Sequence, residues 1–317
     1  MTWNFPKLCR PIAVLALLAC PLSPPALAHE STLRPDDLRI AAIGYRLAVA
    51  GRDLCPKQGP VTGMLLHHLA EYERADRPAL AAQGLDRGPG VLAVVAGSPA
   101  DAAGLRAGDV LLAVNGTAFP SPTAIAANAD DAVWRPMVER SETLFQDQLA
   151  RGPATLAVLR GGQTLSLTLA PRTGCLLRIR LAHSSQKTAV AAGDYVVVSS
   201  GLLAMARNDD ELAFTIAHEL AHVVLGHGAW LRAQKVPRGL MRGFGRNGER
   251  VRETEAEADR LGGEITLAAH YDLARGAEIL DRLPPEIGFG IFKTHDSDAD
   301  RIRMLRALAA GHPAPKP

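Results

Sequence analysis

The chain has 317 residues, 47% hydrophobic and 21% charged, a balance that excludes a disordered chain and suits about two globular domains. Aromatic residues make up only 4%, so a core must rest on Ala, Leu and Val. The 35 basic and 33 acidic residues give a net charge of +2, and the excess is Lys7 and Arg10 in an acid-free leading segment; the balanced remainder excludes a nucleic-acid partner, which would require a basic face.

Residues 1–28 read as an export signal. Lys7 and Arg10 form its positive start, "PIAVLALLA" (11–19) its short apolar centre, and Ala26-Leu27-Ala28 a small-x-small cleavage site. The alternative is a lipoprotein box in "LLAC" (17–20), with Cys20 as a lipid anchor and peripheral membrane contact. Either reading places the mature chain outside the cytoplasm, most simply in a bacterial periplasm. "LAFTIAHELAHVVLGHGAWL" (212–231) has the length of a membrane span but carries three His and a Glu, which are costly in lipid. Of four cysteines, Cys55 and Cys175 lie beyond the signal, and neither belongs to a CxxC pair. An oxidising compartment favours a disulfide over a metal site for two such residues; two free buried thiols are the alternative.

Residues 36–53 predict a helix opened by Asp36 and Asp37, and "GMLLHHLAEY" (63–72) a second one, with His67 and His68 structural or exposed. From residue 84 the character changes. "GPGVLAVVAGSPADAAGLRAGDVLLAVNGTAF" (88–119) alternates short β-type runs with Gly, Pro and Asn, including a turn at Asn115-Gly116. "ATLAVLR" (154–160) and "TLSLTLA" (164–170) read as closing strands joined through Gly161-Gly162, with a helical insertion between 120 and 152. Gly97-Ser98-Pro99-Ala100, Ala103-Gly104-Leu105, Gly108-Asp109 and Asn115-Gly116 together resemble a PDZ domain. The resemblance implies peptide binding by strand addition, with backbone N–H groups near Arg87–Leu92 receiving a chain-end carboxylate. The loop lacks a Gly-Leu-Gly-Phe-type sequence, so a module that only packs or autoinhibits is the alternative.

"DYVVVSSGLL" (194–203) reads as a strand running into a helix, and Asn208-Asp209-Asp210-Glu211 opens the next helix with carboxylates in its first turn. That helix, "AFTIAHELAHVVLGH" (213–227), is apolar, yet it carries His218, Glu219 and His222. Unpaired buried polar groups cost several kcal/mol, roughly, so these need a partner. At helical geometry the two imidazoles stand about 40° apart around the axis and about 6 Å along it, close enough to share one ion. Glu219 projects beside them, where it can serve a water as base. Two neutral imidazoles, a carboxylate and an open position suit Zn²⁺. In the metzincin pattern a glycine and a third histidine would stand at 225 and 228, but those residues are Leu225 and Gly228. His227 falls about 140° around the helix from His222, which makes it a helix-end residue or an outer support.

"RETEAEADRLGGE" (252–264) supplies further carboxylates: Glu255, Asp259 and Gly262 share one helical face, Glu253 and Glu257 another. Ala258 and Gly262 would allow close approach to the motif helix. Glu-x-x-Ala-Asp after His-Glu-x-x-His resembles the gluzincin metallopeptidases of the HtpX and CAAX prenyl endopeptidase type. The resemblance implies one Zn²⁺ per chain on His218, His222 and Glu255, with Glu219 as the catalytic base and Asp259 supporting the ligands by hydrogen bonding; Glu253 and Glu257 are the alternative third ligands. It extends to "THDSDADRIRML" (294–305), where His295 is the candidate to stabilise an oxyanion or cap the metal and Arg301 a weaker candidate of the same kind. Asp296 stands where the family has Pro.

The whole reads as an α+β protein: signal peptide 1–28, N-terminal helical part of a protease domain 29–83, inserted PDZ-like domain 84–171, zinc metallopeptidase domain 172–310 and a disordered tail 311–317. In that arrangement Cys55 and Cys175 flank the insertion, and a bond between them would staple its base. The Arg- and Gly-rich stretch 232–252 reads as a solvated connection beside the cleft. The implied function is extracytoplasmic, zinc-dependent endopeptidase cleavage of unfolded or misfolded envelope proteins, with substrate held along 194–199 and recruited by the PDZ module. A chaperone-like or peptide-binding protein with an idle metal site is the alternative. Oligomeric state and substrate identity stay open.

Overall fold

The computed structural model describes residues 35–120, 131–237, 245–283 and 298–311. The expected signal with Cys20, His295 and the end of the tail lie outside the described residues. Helix α1 (Pro35–Ala50) carries Asp36 and Asp37 in its first turn, where the helix dipole favours carboxylates, and buries Ile40, Ile43 and Leu47 on one stripe. A 3₁₀ turn (Arg52–Leu54) leads to Cys55 and strand β1 (Gln58–Val61).

Next comes β2 (Met64–His67), a strand where the sequence suggested helix. Its run of apolar residues carries no period of its own, and pairing with a neighbour decides its state. That neighbour is β3 (Gly90–Val94), reached through the short helix α2 (Arg77–Ala82). Helix α3 (Pro99–Ala102), β4 (Val110–Val114), β5 (Thr117–Ala118), α4 (Asp131–Leu149), β6 (Ala154–Arg160) and β7 (Gln163–Leu169) complete this region. The sheet has the order β2-β3-β4-β6-β7, with β5 hydrogen-bonded to β4. Asn115-Gly116 and Gly161-Gly162, all at positive φ, close its two tight hairpins. Leu66, Val91, Leu111, Val114, Leu156 and Val158 form its core, closed over by Phe145 and Leu149 of α4.

Strand β8 (Arg172–Cys175) returns antiparallel to β1, pairing Gln58 with Cys175 and Val61 with Arg172. The Cys55–Cys175 disulfide closes this ribbon, so the chain between the two cysteines leaves and re-enters at one stapled neck.

A second sheet follows: β9 (Arg178–Ala182), β10 (Ala189–Ala192) and β11 (Tyr195–Ser199), in the order β10-β11-β9. Helices α5 (Ser200–Met205), α6 (Asp209–Leu225), α7 (His227–Ala233), α8 (Gly245–Ala268), α9 (Leu273–Gly276) and α10 (Asp298–Gly311) complete the fold. Together with α1 they enclose a larger core that includes Ile40, Leu47, Val196, Phe214, Leu220, Ala258 and Ile265. The fold is α+β. No helix among the described residues is long and apolar enough to cross a membrane.

Candidate metal centre

Helix α6 is set by its ends. Asn208 caps it by accepting a hydrogen bond from the Glu211 N–H (3.0 Å), and the Glu211 carboxylate accepts from the Arg207 N–H (2.7 Å). Gly226 stops it in the left-handed region at φ 71°. Between these ends, Phe214, Ile216 and Leu220 are at most 1% exposed, and His218, Glu219 and His222 are buried among them.

Helix α8 crosses α6 closely, because Gly262 and Ala258 face it. A Cβ at Gly262 would stand 2.8 Å from the His218 Cα, so only glycine admits this approach. Glu255 is thereby brought to the rings: Nε2 of His218 lies 3.3 Å from Glu255 Oε2, and Nε2 of His222 lies 3.6 Å from Oε1. The two Nε2 atoms face each other at 3.1 Å. Among the described residues, His218, His222 and Glu255 form a group able to hold a metal ion, with ligand atoms all within 4.8 Å of one another. Glu253 is exposed and Glu257 turns to His227, so neither alternative third ligand joins this group.

The supports of this group are polar as well. Asp259 Oδ1 lies 3.0 Å from His218 Nδ1, and Arg301 of α10 grips Asp259 through two hydrogen bonds of 2.7 Å. The sequence suggested an oxyanion or capping part for Arg301; its guanidinium instead clamps the carboxylate behind His218. Burial alone would lower the His218 imidazole, but hydrogen bonds to Asp259 and Glu255 outweigh it and push the ring up to about 10. Burial would raise Asp259, yet Arg301 and the same ring bring it down to about 2. Glu255 also ends well below the usual carboxylate range, since His218 and His222 overcome the effect of burial. Glu219 moves the other way: burial pushes its carboxyl up, and the two rings counter this only in part.

The donor set fits a divalent cation. Glu255 Oε1 and Glu219 Oε2 are buried acceptors without a hydrogen-bond partner. Two imidazole nitrogens at 3.1 Å can share one proton at most, and they aim at the same space as Glu255. A cation there meets the lone pairs of His218, His222 and Glu255 at once, where a single shared proton does not.

Strand β10 runs beside α6, and its Ala191 N–H donates a hydrogen bond to Glu219. The expected substrate strand, 194–199, is β11, which is bonded on both sides by β10 and β9. Among the described strands the outer one next to the centre is β10 instead. A similar correction holds for the expected carboxylate receptor near Arg87–Leu92. Strand β3 is interior, the Val91 N–H is bonded to Asp109 O (2.7 Å), and the Arg87 N–H is bonded to Gly84 O (2.9 Å). Among the described strands the outer ones of that sheet are β2 and β7.

Helical rotation predicts His227 on another face from His222. Because Gly226 breaks the helix, its ring instead folds back under His222, with Nδ1 2.8 Å from His222 Nδ1 and Nε2 3.0 Å from Glu257 Oε2. The glycine one residue ahead was the available signal, since a left-handed stop voids any rotation carried through it. His295 lies outside the described residues and stays a candidate from the sequence alone.

Residues 180–238 match the family model described as Peptidase family M48, and residues 90–127 match that of a PDZ domain. Both resemblances read from the motifs are borne out at this level. Among solved structures the chain is similar to the PDZ domain of HtrA3 bound to a phage-derived ligand (FGRWV). The identity is 22% over 37% of this chain and 88% of that one, with a TM-score of 0.25. A search of curated proteins returned no match.

Proposed function

We propose that this metallopeptidase with a PDZ module is an extracytoplasmic, zinc-dependent endopeptidase that cleaves unfolded or misfolded envelope polypeptides. One observation carries the reading: two ring nitrogens and the Glu255 carboxylate converge on one point, with Glu219 buried beside them. A structural site has no use for a second buried carboxylate that keeps one oxygen unpartnered beside the ligands.

Bound zinc supplies Lewis acidity, polarising a carbonyl and lowering the pKa of water from 15.7 to roughly 7. The chain supplies the rest. His218, His222 and Glu255 hold the ion, and Asp259 with Arg301 fixes the His218 ring. Glu219 takes the proton from the attacking water and returns it to the leaving amine; a carboxyl raised by burial is better matched to that exchange near neutral pH than an ordinary one. The outer edge of β10 pairs with an extended substrate, which requires the cleaved segment to be unfolded or looped. The β2 edge of the other sheet offers the same kind of pairing to a recruited chain. The export-signal pattern and the Cys55–Cys175 bond support a location outside the cytoplasm.

Chelator-sensitive cleavage of casein by the mature chain tests this. Glu219→Gln is expected to keep its metal and lose about 10²–10⁴-fold in rate. Equal cleavage by both proteins would remove Glu219 from the chemistry. Suppression of casein aggregation with no cleavage by either would instead establish the chaperone-like alternative.

A further inference from the structure

Each imidazole that ligates an ion through Nε2 needs its proton held on Nδ1, and the group that accepts this proton sets the ring's tautomer and direction. The two ligand rings meet that need differently. His218 Nδ1 faces the buried Asp259, whose side chain is 2% exposed. His222 Nδ1 faces a second imidazole, His227, at 2.8 Å, and the rings stand edge to face with centroids 4.9 Å apart. His227 in turn reaches Glu257, whose side chain is 59% exposed, at 3.0 Å.

Proton accounting selects one arrangement. Two Nδ1 atoms at 2.8 Å hold one hydrogen between them. If it belongs to His222, then His222 Nε2 is bare toward His218 and Glu255. His227 accepts on Nδ1 and donates its own Nε2–H to Glu257, so every contact pairs a donor with an acceptor. If it belongs to His227, then neutral His222 carries its proton on Nε2, pointing into the ligand group. His227 then sets a bare Nε2 against a carboxylate, two lone-pair groups 3.0 Å apart. The Glu257 charge favours the first arrangement.

We propose that His227 and Glu257 are a positioning pair that locks His222 in the tautomer and orientation needed for metal ligation. The inference rests on the metallopeptidase reading above and extends it to residues outside the ligand set. His227 is buried because Gly226 turns the chain back on itself, so the brace comes from the residue that starts the next helix.

The test is zinc affinity of the mature chain, measured by competition with a chromophoric chelator, alongside the d–d spectrum of the cobalt-loaded protein. His227→Leu is expected to lose about 10–100-fold in affinity and to shift the cobalt bands, with a smaller loss for Glu257→Gln. His227→Gln, whose amide can accept from one side and donate to the other, is expected to recover part of the loss. Glu253→Gln, exposed on the same helix, is the control and is expected to bind as wild type. The pair is refuted if His227→Leu binds zinc within twofold of wild type. It is also refuted if its loss tracks a lowered Tm of the metal-free protein and His227→Gln recovers nothing. Failure of wild type to bind an equivalent of zinc would overturn the metallopeptidase reading itself, and this inference with it.

Discussion

Two of the buried polar clusters among the described residues differ in the atoms they leave over. At the metal centre the unpartnered atoms are two carboxylate oxygens, Glu255 Oε1 and Glu219 Oε2, together with His218 Nδ1, which lies 3.0 Å from Asp259 Oδ1. The second cluster lies around Glu142 of α4, where the first sheet region meets β9 and β11. The Glu142 carboxylate pairs with Arg180 and accepts a hydrogen bond from Tyr195 Oη at 2.5 Å, while Glu71 holds Arg180 at 3.1 Å. Its unpartnered atoms, His68 Nε2 and Arg178 Nε, lie 3.5 and 3.9 Å from the same carboxylate. Those are nitrogens turned toward an acceptor, as His218 Nδ1 is, but neither Glu142 nor Glu71 leaves a carboxylate oxygen over. One cluster balances its charges internally, and the other leaves carboxylate oxygens over in a group able to hold a cation. Burial and polarity alone would not separate a site from a joint; the carboxylate oxygens left over do.

Breaking the joint should therefore cost stability and leave the metal alone. Removing one partner of a buried ion pair strands the others, at a typical cost of roughly 3–5 kcal/mol. Glu142→Ala is expected to lose about that much in urea denaturation, since Arg178 and Arg180 would both face the gap. Zinc content and affinity should be unchanged. A parallel fall in affinity would show that the two clusters act as one.

A second break uses pH. Burial is the largest effect on both His67 and His68 and pulls each imidazole down to about 4 from an ordinary value of 6.5. The folded chain holds them neutral while the unfolded chain takes up protons as pH falls below 6.5. Their contribution is therefore complete above pH 6.5 and is lost on acidification toward 4, by roughly 3 kcal/mol per ring at most. Unfolding followed across that window should show this slope, and His68→Gln should remove about half of it. An unchanged slope would mean that other groups carry the acid sensitivity.

Much of the centre was legible because its chemistry is local. His218 and His222 are one turn apart on a helix whose start is written at Asn208-Asp209-Asp210-Glu211, and Glu255, Asp259 and Gly262 recur on one face of another; the stop at Gly226 went unread, which misplaced His227. The turns at Asn115-Gly116 and Gly161-Gly162 were legible for the same reason. Strand β2 was not, because Met-Leu-Leu-His becomes extended only by pairing with β3. Nor was the outer edge at β10: which of three strands lies outermost is a property of sheet order, and a single strand does not carry it. Arg301 could not be placed on Asp259, 42 residues away, by any period in the sequence.

The smallest predicted effect sharpens the comparison most, because it moves a helix without touching a ligand. An added Cβ at Gly262 would meet the His218 N and Cα at 2.8 Å and the Ala217 carbonyl carbon at 3.0 Å. These are backbone atoms of α6 and cannot swing aside, so α8 must retreat. Overpacking of this kind costs about 1–3 kcal/mol, against which alanine returns about 1 kcal/mol of helix propensity. Glu255 and Asp259 lie on the same face of α8 as Gly262, and the retreat carries both away from the rings. Gly263→Ala is the matched control: its Cβ would crowd Leu308, Leu273 and Leu305, but only at side-chain tips that can yield. Gly262→Ala should lower zinc affinity in chelator competition by more than its small stability loss suggests. Gly263→Ala should leave affinity unchanged, and neither should alter the acid sensitivity of the Glu142 joint. Equal losses of affinity in both variants would mean that metal binding follows overall stability and not the spacing of the two helices.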